Sequence, residues 1–487
     1  MAGGQPSRLA ARVAAHPGSA RLAPRQTCKH RAVSALLPER LLSAFEQIVG
    51  RDHVIFDPDR LVSYDTDWTG RYRGHTPAVV RPASNAEVAA VVALCSGEGI
   101  ALCLRGGNTG LVGGSVPLAG ECVLHLGRLR RLEIDADAGR ACAEAGVSLG
   151  DLQDAARRAG WEYAVDFSSR DSATLGGSIA TNAGGFRALR HGTTRAQILG
   201  VEAVFGDGRV VSHLAGLPKE VTGYDVAALL CGSEGTLGVV TAASLRLVPP
   251  SSEKVAALLG FSSTDVAFSA AGALRRCLPH LEAMEIFFGK EMSLVSTRFE
   301  LPQPLAHSYS AYLLIEVADT TDPAPRVSEA IDGLAGVGEV AVAVGAERRS
   351  ALWRYRETIP EAIASVGVPH KLDVSLPSRS IHSFVEEVPE VVRAIAPGAE
   401  TWIFGHAGEG NLHVNVCRVA GDGETVDEAV LTLVTDMGGS ISGEHGIGVA
   451  KKRWLHLNRS ETEIAVFRSL KRALDPAGVL NPNVLLP

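Results

Sequence analysis

The sequence of 487 residues lacks the patterns that mark several common classes of protein. None of its eight cysteines belongs to a C-x-x-C pair, so we expect reduced thiols and no zinc ribbon. No apolar run approaches the roughly 20 residues that a membrane-spanning helix needs. Basic residues do not alternate with aromatic ones, and the formal net charge is -7; both features argue against nucleic-acid binding.

Acidic residues are absent from the start of the chain until Glu39. The same stretch contains the basic residues Arg8, Arg12, Arg21, Arg25, Lys29 and Arg31. This composition is typical of a mitochondrial transit peptide, but the alanine, arginine and glycine bias of the whole chain suits a GC-rich bacterial genome. We interpret residues 1–38 as a bacterial extension, disordered or read from a start codon assigned too far upstream, and expect a cytoplasmic protein. A targeting peptide and a mitochondrial matrix location are the alternative.

Hydrophobic residues make up 46% of the chain, enough for a large core, and the length corresponds to about two to four domains. Residues 78–82 and 101–105 have the composition of short strands, and the helix between them begins with the capping pair Ser84 and Glu87. The stretch RGGNTGLVGGS follows the second strand but does not match G-x-G-x-x-G and leads into no helix. A dinucleotide-binding Rossmann fold is therefore not expected.

Three glycine-rich runs precede the Pro249–Pro250 pair, at residues 105–110, 174–185 and 232–238. Glycine permits positive φ angles, so successive backbone N–H groups in such a run can face one concavity and bind a phosphate oxygen. A single run of this kind is more often a plain turn, but three in one segment favour a phosphate-binding wall. The proline pair marks the predicted end of this first domain.

The order strand, helix, strand occurs twice after Pro250, within residues 255–288 and 312–345. This order predicts an α+β sheet with helices on one face, close to a ferredoxin-like arrangement. One helix is expected over residues 346–364. The predicted divisions are an extension (1–38), a first domain (39–250), an α+β substrate and metal domain (251–460) and a C-terminal segment that returns to the first domain (461–487).

Two glycine-rich, otherwise apolar stretches, FGHAGEGNLHVNV and SGEHGIG, contain three histidines. His406 and His413 would point to opposite faces of one straight strand, so they converge only if residues 407–410 form a turn. Glu444 and His445 are adjacent, so a turn must direct one to a metal and the other to substrate. Two imidazoles and a carboxylate suit catalytic zinc, and also manganese or iron. The alternative is a pair of turns with polar tips.

The motifs RGGNTGLVGGSV, GGSIATNAGG, TGYD and GSEGTLGVVT occur in this order along the chain. Together they resemble the FAD-linked D-2-hydroxyacid dehydrogenase family, and the resemblance extends over residues 45–487. It implies an α+β fold in which a vanillyl-alcohol-oxidase (PCMH)-type FAD-binding domain carries a ferredoxin-like α+β substrate domain. It implies FAD contacts from Pro82, Arg105, Gly106, Gly107, Asn108, Thr109, Gly110, Ser115, Ser172, Gly176, Gly177, Ala180, Thr181, Asn182, Gly185, Glu234 and Asn481.

Relatives with covalently attached flavin often carry a histidine in the first glycine loop, where this chain has Asn108. An imidazole nitrogen can bond the flavin methyl group, whereas a carboxamide is a poor nucleophile. We therefore expect non-covalent FAD.

The resemblance also implies a metal-assisted dehydrogenase that oxidises a D-2-hydroxy acid to the 2-oxo acid by hydride transfer to flavin. Its implied metal ligands, for zinc or alternatively manganese, are His406, His413 and Glu444. Its implied catalytic residues are His445 as base, Arg356 and Lys371 as cations for the substrate carboxylates, and Asn415 as a substrate contact.

Two substrate classes fit the sequence. Lys371 favours a D-2-hydroxyglutarate-like dicarboxylate, but Pro360 stands where such enzymes tend to have threonine, and a D-lactate-like substrate is the alternative. The expected electron acceptor is a flavoprotein, quinone or cytochrome, and a homodimer is left open. The competing functions are a glycolate-oxidase-type flavin subunit that is inactive without partner subunits, and an oxidase or ether-lipid-synthase-like enzyme.

Overall fold

A computed structural model describes residues 37–421 and 423–487. The predicted extension, residues 1–38, lies outside the described residues except for its last two. Within the described ranges, no helix is long and apolar enough to cross a membrane.

The first sheet has four short strands: β1 (Val54–Ile55), β2 (Val79–Val80), β3 (Leu102–Arg105) and β4 (Cys122–His125). Their order is β1-β2-β4-β3, and β4 lies parallel between β2 and β3. The predicted strand–helix–strand unit is therefore present, but its two strands are not neighbours. Its helix, Asn85–Glu98, begins at Ser84, whose hydroxyl accepts from the Glu87 amide at 3.2 Å, and ends at the left-handed Gly99.

The second sheet has five strands: β5 (Leu132–Asp135), β6 (Arg140–Glu144), β7 (Ile198–Val204), β8 (Val210–Ser212) and β9 (Val239–Arg246). All its pairs are antiparallel, in the order β5-β6-β9-β7-β8. Helices Leu149–Arg158 and Leu175–Thr181 share its hydrophobic core. The second glycine run is thus partly helical, because the hydroxyl of Thr174 accepts from the Gly177 amide and starts the helix inside the run.

The third sheet has seven strands: β10 (Glu253–Phe261), β11 (Leu281–Phe288), β12 (Ala311–Asp319), β13 (Val337–Val344), β14 (His370–Ser375), β15 (Glu400–His406) and β16 (Asn411–Cys417). They pair antiparallel in the order β13-β10-β12-β11-β15-β16-β14. The first four strands and the helices Thr264–Cys277 and Ala324–Asp332 form the predicted ferredoxin-like unit. The last three strands extend the sheet beyond β11.

Helices cover both faces of this sheet, and the prediction of one covered face was wrong. Alternate residues of β10 enter two different cores: Val255 and Ala257 one of them, Ala256 and Leu258 the other. The second core is covered by a helix that the sequence pattern did not predict, Gly289–Arg298, and by two further helices.

Those two helices, Ala346–Glu357 and Ile359–Val366, replace the single helix predicted over residues 346–364. The break falls at Thr358, because Pro360 has no N–H to continue the backbone hydrogen bonds of the first helix.

The C-terminal segment adds to the first sheet. Its helix, Glu461–Leu474, begins with a capping box formed by Ser460 and Glu463. Beyond the helix, Leu480 pairs in parallel with Leu102, and the carboxamide oxygen of Asn481 accepts from the Leu104 amide at 2.8 Å. The remaining helices of the described residues are Glu39–Val49, Pro58–Leu61, Ala188–His191, Thr194–Gln197, Val226–Leu230, Ser378–Ile395, Glu424–Asp436 and Leu455–Asn458, with short 3-10 turns at Arg51–His53, Val62–Tyr64 and Lys452–Trp454.

A buried carboxylate joins the part of the chain before Pro249 to the third sheet. Glu282 of β11 lies 3.2 Å from Arg190, 3.7 Å from Arg187 and 3.2 Å from Lys254. Burial alone would raise the pKa of this carboxyl, but the neighbouring His191, Arg187 and Lys254 outweigh burial and lower it to about 2.

We expect Glu282→Gln to lower the free energy of unfolding at pH 7 by roughly 3 kcal/mol, because the ionised carboxylate is stabilised only in the folded state. A lowered folded-state pKa means that this contribution is complete above the ordinary value of 4.5 and disappears as the pH falls through about 2. Urea denaturation at several pH values measures it, with the exposed Glu253→Gln as control. A difference between wild type and variant that does not shrink in acid would contradict the assignment.

Candidate active site

A cavity of about 520 Å³ lies between the glycine-rich runs and the strands β14–β16. Its glycine-rich side is drawn from residues 104–115, 173–186 and 233–240, and its other side includes Arg356 and Phe404. The volume lies within the range of small-molecule and cofactor sites, roughly 300–1,000 Å³.

The first glycine loop is packed so closely at Gly106 and Gly107 that no side chain fits at either position. A Cβ atom at Gly107 would lie 1.8 Å from the carbonyl oxygen of Ser172, and one at Gly106 would lie 2.3 Å from the hydroxyl of Thr174. Backbone groups are therefore the polar surface that this loop offers to the cavity, which suits a phosphate.

Two side chains of the same loop are held by protein partners. The guanidinium of Arg105 is buried and donates to the carbonyl oxygens of Tyr64 at 2.7 Å and Ser63 at 3.1 Å. Asn108 has a φ of 56°, and its carboxamide oxygen accepts from the Ser115 hydroxyl at 2.8 Å. The guanidinium of Arg105 thus ties the loop to the backbone of residues 63 and 64.

Most of the predicted FAD contacts line the cavity: Arg105, Gly106, Gly107, Asn108, Thr109, Gly110, Ser115, Gly176, Gly177, Ala180, Thr181, Gly185, Glu234 and Asn481. Pro82, Ser172 and Asn182 do not. Ser172 packs behind Gly107, and Pro82 lies just beyond β2. The carboxamide oxygen of Asn182 accepts from the Thr193 hydroxyl and the Arg195 amide, so this side chain faces a second cavity of about 410 Å³.

The side chain of Glu234 anchors the loop formed by residues 442–448. Its carboxylate accepts from the amides of Ile447 and Gly448, each at 2.7 Å, and its own carbonyl oxygen accepts from Asn481 at 2.8 Å. Burial raises the pKa of this carboxyl, while the two amides oppose that shift. The predicted FAD contact is therefore also an anchor for the SGEHGIG motif.

The two histidines of FGHAGEGNLHVNV converge, by means of the turn that the sequence analysis required. Residues 407–410 form the turn between β15 and β16, and the antiparallel pairing places His413 opposite Phe404. The rings of His406 and His413 are 5.3 Å apart between centroids, and Nε2 of His406 lies 3.4 Å from Oε1 of Glu444. One ligand atom from each of these three residues lies within 4.8 Å of the others, so they can hold a metal ion.

Neighbouring charges set the protonation states in this trio. Burial disfavours the charged forms of both His406 and Glu444, but the charges around them outweigh it. The pKa of Glu444 is lowered to about 2, and Glu285 together with Glu444 raises that of His406. Glu444 is therefore ionised at neutral pH, which is the form that binds a cation.

His445 lies beside the trio and lines the cavity. Its ring stacks on that of His413 at 5.5 Å between centroids and 9° between planes, and its Nδ1 lies 3.8 Å from Asp373. Removal of water from the ring lowers its pKa to about 4, although the charge of Asp373 opposes this. A neutral imidazole at pH 7 can accept a proton.

Asp373 organises these groups, and the sequence analysis did not single it out. Its Oδ2 accepts from the amides of residues 443, 444 and 445 at 3.1, 2.7 and 2.9 Å, and its Oδ1 accepts from Asn411 at 2.7 Å. It pairs directly with His413 across β14 and β16, 3.4 Å from Nδ1. Despite its burial, His445, His413 and Lys451 hold its pKa well below the usual range. The sequence feature that could have identified Asp373 was its position two residues after Lys371 in the same strand.

Glu285 was missed as well. It contacts His406 at 2.6 Å and Arg356 at 2.7 Å in the buried interior. The Arg356 guanidinium also lies 4.6 Å from the centroid of the Phe404 ring. The available signal was the presence of two glutamates, Glu282 and Glu285, inside the otherwise apolar strand LEAMEIFF.

The second predicted cation, Lys371, lies at the Trp68 side of the cavity. Its ammonium is 5.5 Å from the Trp68 ring centroid, and burial followed by the positive charge of Arg71 lowers its pKa. Lys371 pairs across the sheet with Asn415, which donates to the His413 carbonyl at 3.4 Å. Both residues line the cavity, as does Pro360.

Comparison with known proteins places this site in a family. Residues 76–213 match the description "FAD binding domain", and residues 250–485 match "FAD linked oxidases, C-terminal domain". The D-2-hydroxyglutarate dehydrogenase of Xanthomonas citri pv. viticola is 36% identical over 459 residues, which covers 92% of this chain and 96% of that protein. The chain belongs to the FAD-linked D-2-hydroxyacid dehydrogenase family.

Eukaryotic relatives of this dehydrogenase support the same assignment. The mitochondrial D-2-hydroxyglutarate dehydrogenases of Danio rerio and Arabidopsis thaliana are 34% and 32% identical, over 89% and 93% of this chain and 83% and 82% of theirs. The predictions of the family, of an FAD-linked oxidoreductase and of D-2-hydroxyacid oxidation are thereby confirmed.

Solved structures agree on the fold of the dehydrogenase. An alkyldihydroxyacetonephosphate synthase superposes with a TM-score of 0.72 at 16% identity, covering 96% of this chain and 90% of its own. p-Cresol methylhydroxylase gives a TM-score of 0.69 at 16% identity, covering 91% and 96%. The predicted PCMH-type α+β fold is confirmed.

We expect Asp373→Asn to loosen the loop at 443–445, because an amide group would face backbone donors that a carboxylate now accepts. Each hydrogen bond to a charged group contributes about 1.5–3 kcal/mol, so exchange of these amides should accelerate by roughly tenfold or more. Hydrogen-exchange mass spectrometry of the peptide covering 442–448 measures this. Asp332→Asn, at an exposed helix end, is the control, and unchanged exchange in Asp373→Asn would refute the anchoring role.

Proposed function

We propose that this dehydrogenase oxidises a D-2-hydroxy dicarboxylate of the D-2-hydroxyglutarate type to the 2-oxo acid. The observation that carries the proposal is the shared cavity. A cation-binding trio, a neutral imidazole and two cationic side chains all line it, opposite a glycine-rich wall. The relatives named D-2-hydroxyglutarate dehydrogenase support this substrate class.

The glycine-rich wall would hold FAD without a covalent bond. The backbone of residues 105–110 offers amides for the pyrophosphate, and Asn108 offers no nucleophile for the flavin methyl group. The bound cofactor supplies the acceptor for the hydride that leaves the substrate Cα.

The metal ligands would be His406, His413 and Glu444. A second trio, Asp373, His413 and His445, also has suitable spacing. We prefer the first, because both oxygens of Asp373 already accept hydrogen bonds from Asn411 and from the amides of residues 443–445. Two imidazoles and one carboxylate suit zinc, with manganese as the alternative. The bound metal supplies a Lewis acid that lowers the pKa of the substrate hydroxyl.

The two carboxylates of the substrate would be bound by Arg356 and Lys371. A guanidinium forms two parallel hydrogen bonds to a carboxylate, which fixes the end that reacts, whereas an ammonium is a point charge that suits the distal carboxylate. Pro360 lines the same cavity and offers no hydroxyl, so specificity for the distal group would depend on Lys371. Asn415 would contribute a carboxamide beside Lys371.

His445 would accept the proton of the substrate hydroxyl. Its ring is neutral at pH 7, faces the cavity, and is held by stacking on His413. Proton transfer and hydride loss together convert the alcohol to the ketone.

The flavin must be reoxidised, and we propose a flavoprotein, quinone or cytochrome as the acceptor. A cytoplasmic location, with the mitochondrial matrix as alternative, and assembly as a homodimer belong to the same proposal; the relatives include both bacterial and mitochondrial proteins. We also propose domain limits at 39–250, 251–460 and 461–487. The break between β9 and β10 and the hydrogen bond between β3 and Asn481 support these limits. Native mass spectrometry tests the dimer, and an acceptor panel tests the electron partner.

Acid precipitation tests the mode of flavin binding. We expect the yellow colour to stay in the supernatant, because Asn108 cannot form the covalent bond. A yellow precipitate would show covalent flavin and contradict the assignment of Asn108.

Anaerobic bleaching of the flavin tests the substrate. We expect D-2-hydroxyglutarate to bleach it faster than D-lactate or either L-isomer, and Lys371→Met to remove the preference for the dicarboxylate because the distal cation is lost. Equal rates for both D-acids in the wild type would refute the dicarboxylate assignment. No bleaching by any acid without added proteins would favour the glycolate-oxidase-type flavin subunit instead.

The base assignment is tested by His445→Gln. Loss of a general base slows the chemical step by roughly 10²–10⁴-fold, so we expect the bleaching rate to fall by that factor while FAD content stays unchanged. The exposed His456→Gln is the control. A normal bleaching rate in His445→Gln would mean that another group takes the proton.

A further inference from the structure

Glu285 lies between two groups with different proposed tasks. Its side chain is buried, with 1% of the residue exposed. One carboxylate oxygen is 2.6 Å from Nδ1 of His406, and the other is 2.7 Å from Nε of Arg356. The three residues come from β11, the end of β15 and the helix Ala346–Glu357. A single carboxylate therefore joins the cation-binding trio to the residue that would bind the substrate carboxylate.

The contact with His406 fixes which nitrogen can bind a metal. A neutral imidazole that donates from Nδ1 carries its lone pair on Nε2. That nitrogen lies 3.4 Å from Glu444, on the side of the trio. Glu285 thus holds the ring orientation that a ligand at this position needs, and it would keep the remaining proton on Nδ1 when a metal displaces the proton of Nε2.

The contact with Arg356 fixes the direction of the guanidinium. Nε is the only side-chain nitrogen of Arg356 that hydrogen-bonds within the described part of the chain. The guanidinium carbon lies 4.6 Å from the Phe404 ring centroid and 5.8 Å from that of Phe186, so aromatic rings flank it. Anchoring at Nε leaves the two terminal nitrogens for a carboxylate, which is the bidentate geometry of arginine.

We propose that Glu285 is a positioning residue shared by the metal site and the substrate-carboxylate site, an inference that rests on the proposed function. Both of its partners donate hydrogen bonds, and a carboxylate accepts at both oxygens. A glutamine has one acceptor and one donor group, so it can satisfy only one partner in the present tautomer. One partner therefore loses its hydrogen bond, and the other keeps only a weaker one because the amide carries no charge, so both contacts are weakened. An aspartate would keep the charge and both acceptors on a shorter side chain.

Two binding measurements on the FAD-loaded protein test the proposal. Zinc affinity is measured by competition with a chromogenic chelator. The affinity for 2-oxoglutarate is measured in EDTA-treated protein from the change in flavin absorbance, so that no metal contributes. We expect Glu285→Gln to weaken zinc binding by roughly 10–100-fold and 2-oxoglutarate binding by roughly tenfold. We expect Glu285→Asp to weaken both by smaller factors.

Glu291→Gln is the matched control, because Glu291 is equally buried but accepts only from the Ile403 amide, at 2.9 Å, away from the trio. Its two affinities should equal those of the wild type. A change in only one affinity in Glu285→Gln would overturn the shared role. So would a loss in Glu285→Asp as large as that in Glu285→Gln, because it would point to packing.

If Glu285→Gln does not fold, Glu285→Asp carries the test alone, and both affinities must fall together. Absence of zinc or 2-oxoglutarate binding in the wild type would contradict the proposed function. Wild-type binding with unchanged Glu285 variants would contradict only this inference.

Discussion

The site depends on one loop, residues 442–448, whose two ends are hydrogen-bonded to two different buried carboxylates. Asp373 accepts from the amides of residues 443–445, and Glu234 accepts from those of residues 447 and 448. Hydrogen bonds from amides to a carboxylate in a low-dielectric interior are stronger than neutral ones. Because Asp373 belongs to β14 and Glu234 to the glycine-rich wall, the loop fixes Glu444 and His445 relative to both sides of the cavity.

The same hydrogen bonds explain the glycines of SGEHGIG. Gly446 and Gly448 have φ angles of 83° and 53°, in the region that other residues rarely adopt. A Cβ atom at Gly446 would lie 2.9 Å from the Glu234 carboxylate, and one at Gly448 would lie 2.3 Å from the carbonyl oxygen of Val112. The glycines are needed because the backbone must closely approach a carboxylate and a neighbouring loop. Glu444 and His445, the proposed metal ligand and base, directly precede Gly446 in the chain.

Local patterns in the sequence predicted the features that depend on interactions between residues close together in the chain. The capping pair at Ser84 and the turn at 407–410 follow from residues a few positions apart, and both are present. The strand and helix order of the ferredoxin-like unit was likewise readable from periodicity. The second helical face of the third sheet and the place of β4 between β2 and β3 were not, because both depend on which strands pair over long distances.

The residues of the candidate site also fall into two groups, those that the sequence identified and those that it did not. His406, His413, Glu444 and His445 stand out because polar residues interrupt glycine-rich apolar stretches, and the structure brings them together. Asp373 and Glu285 do not stand out, because a carboxylate in a strand acquires its role only from its neighbours across the sheet and from packed helices. Pro82, Ser172 and Asn182 were assigned from motif position, and they do not line the cavity.

The parallel pairing of Leu480 with Leu102, and the carboxamide of Asn481 between Leu104 and Glu234, have a consequence for truncated variants. Asn481 lines the cavity but lies 377 positions after Leu104 in the chain. The amino-terminal part of the chain therefore cannot assemble the whole cavity on its own. A fragment that ends before residue 480 would leave the Leu104 amide and the Glu234 carbonyl group without these partners.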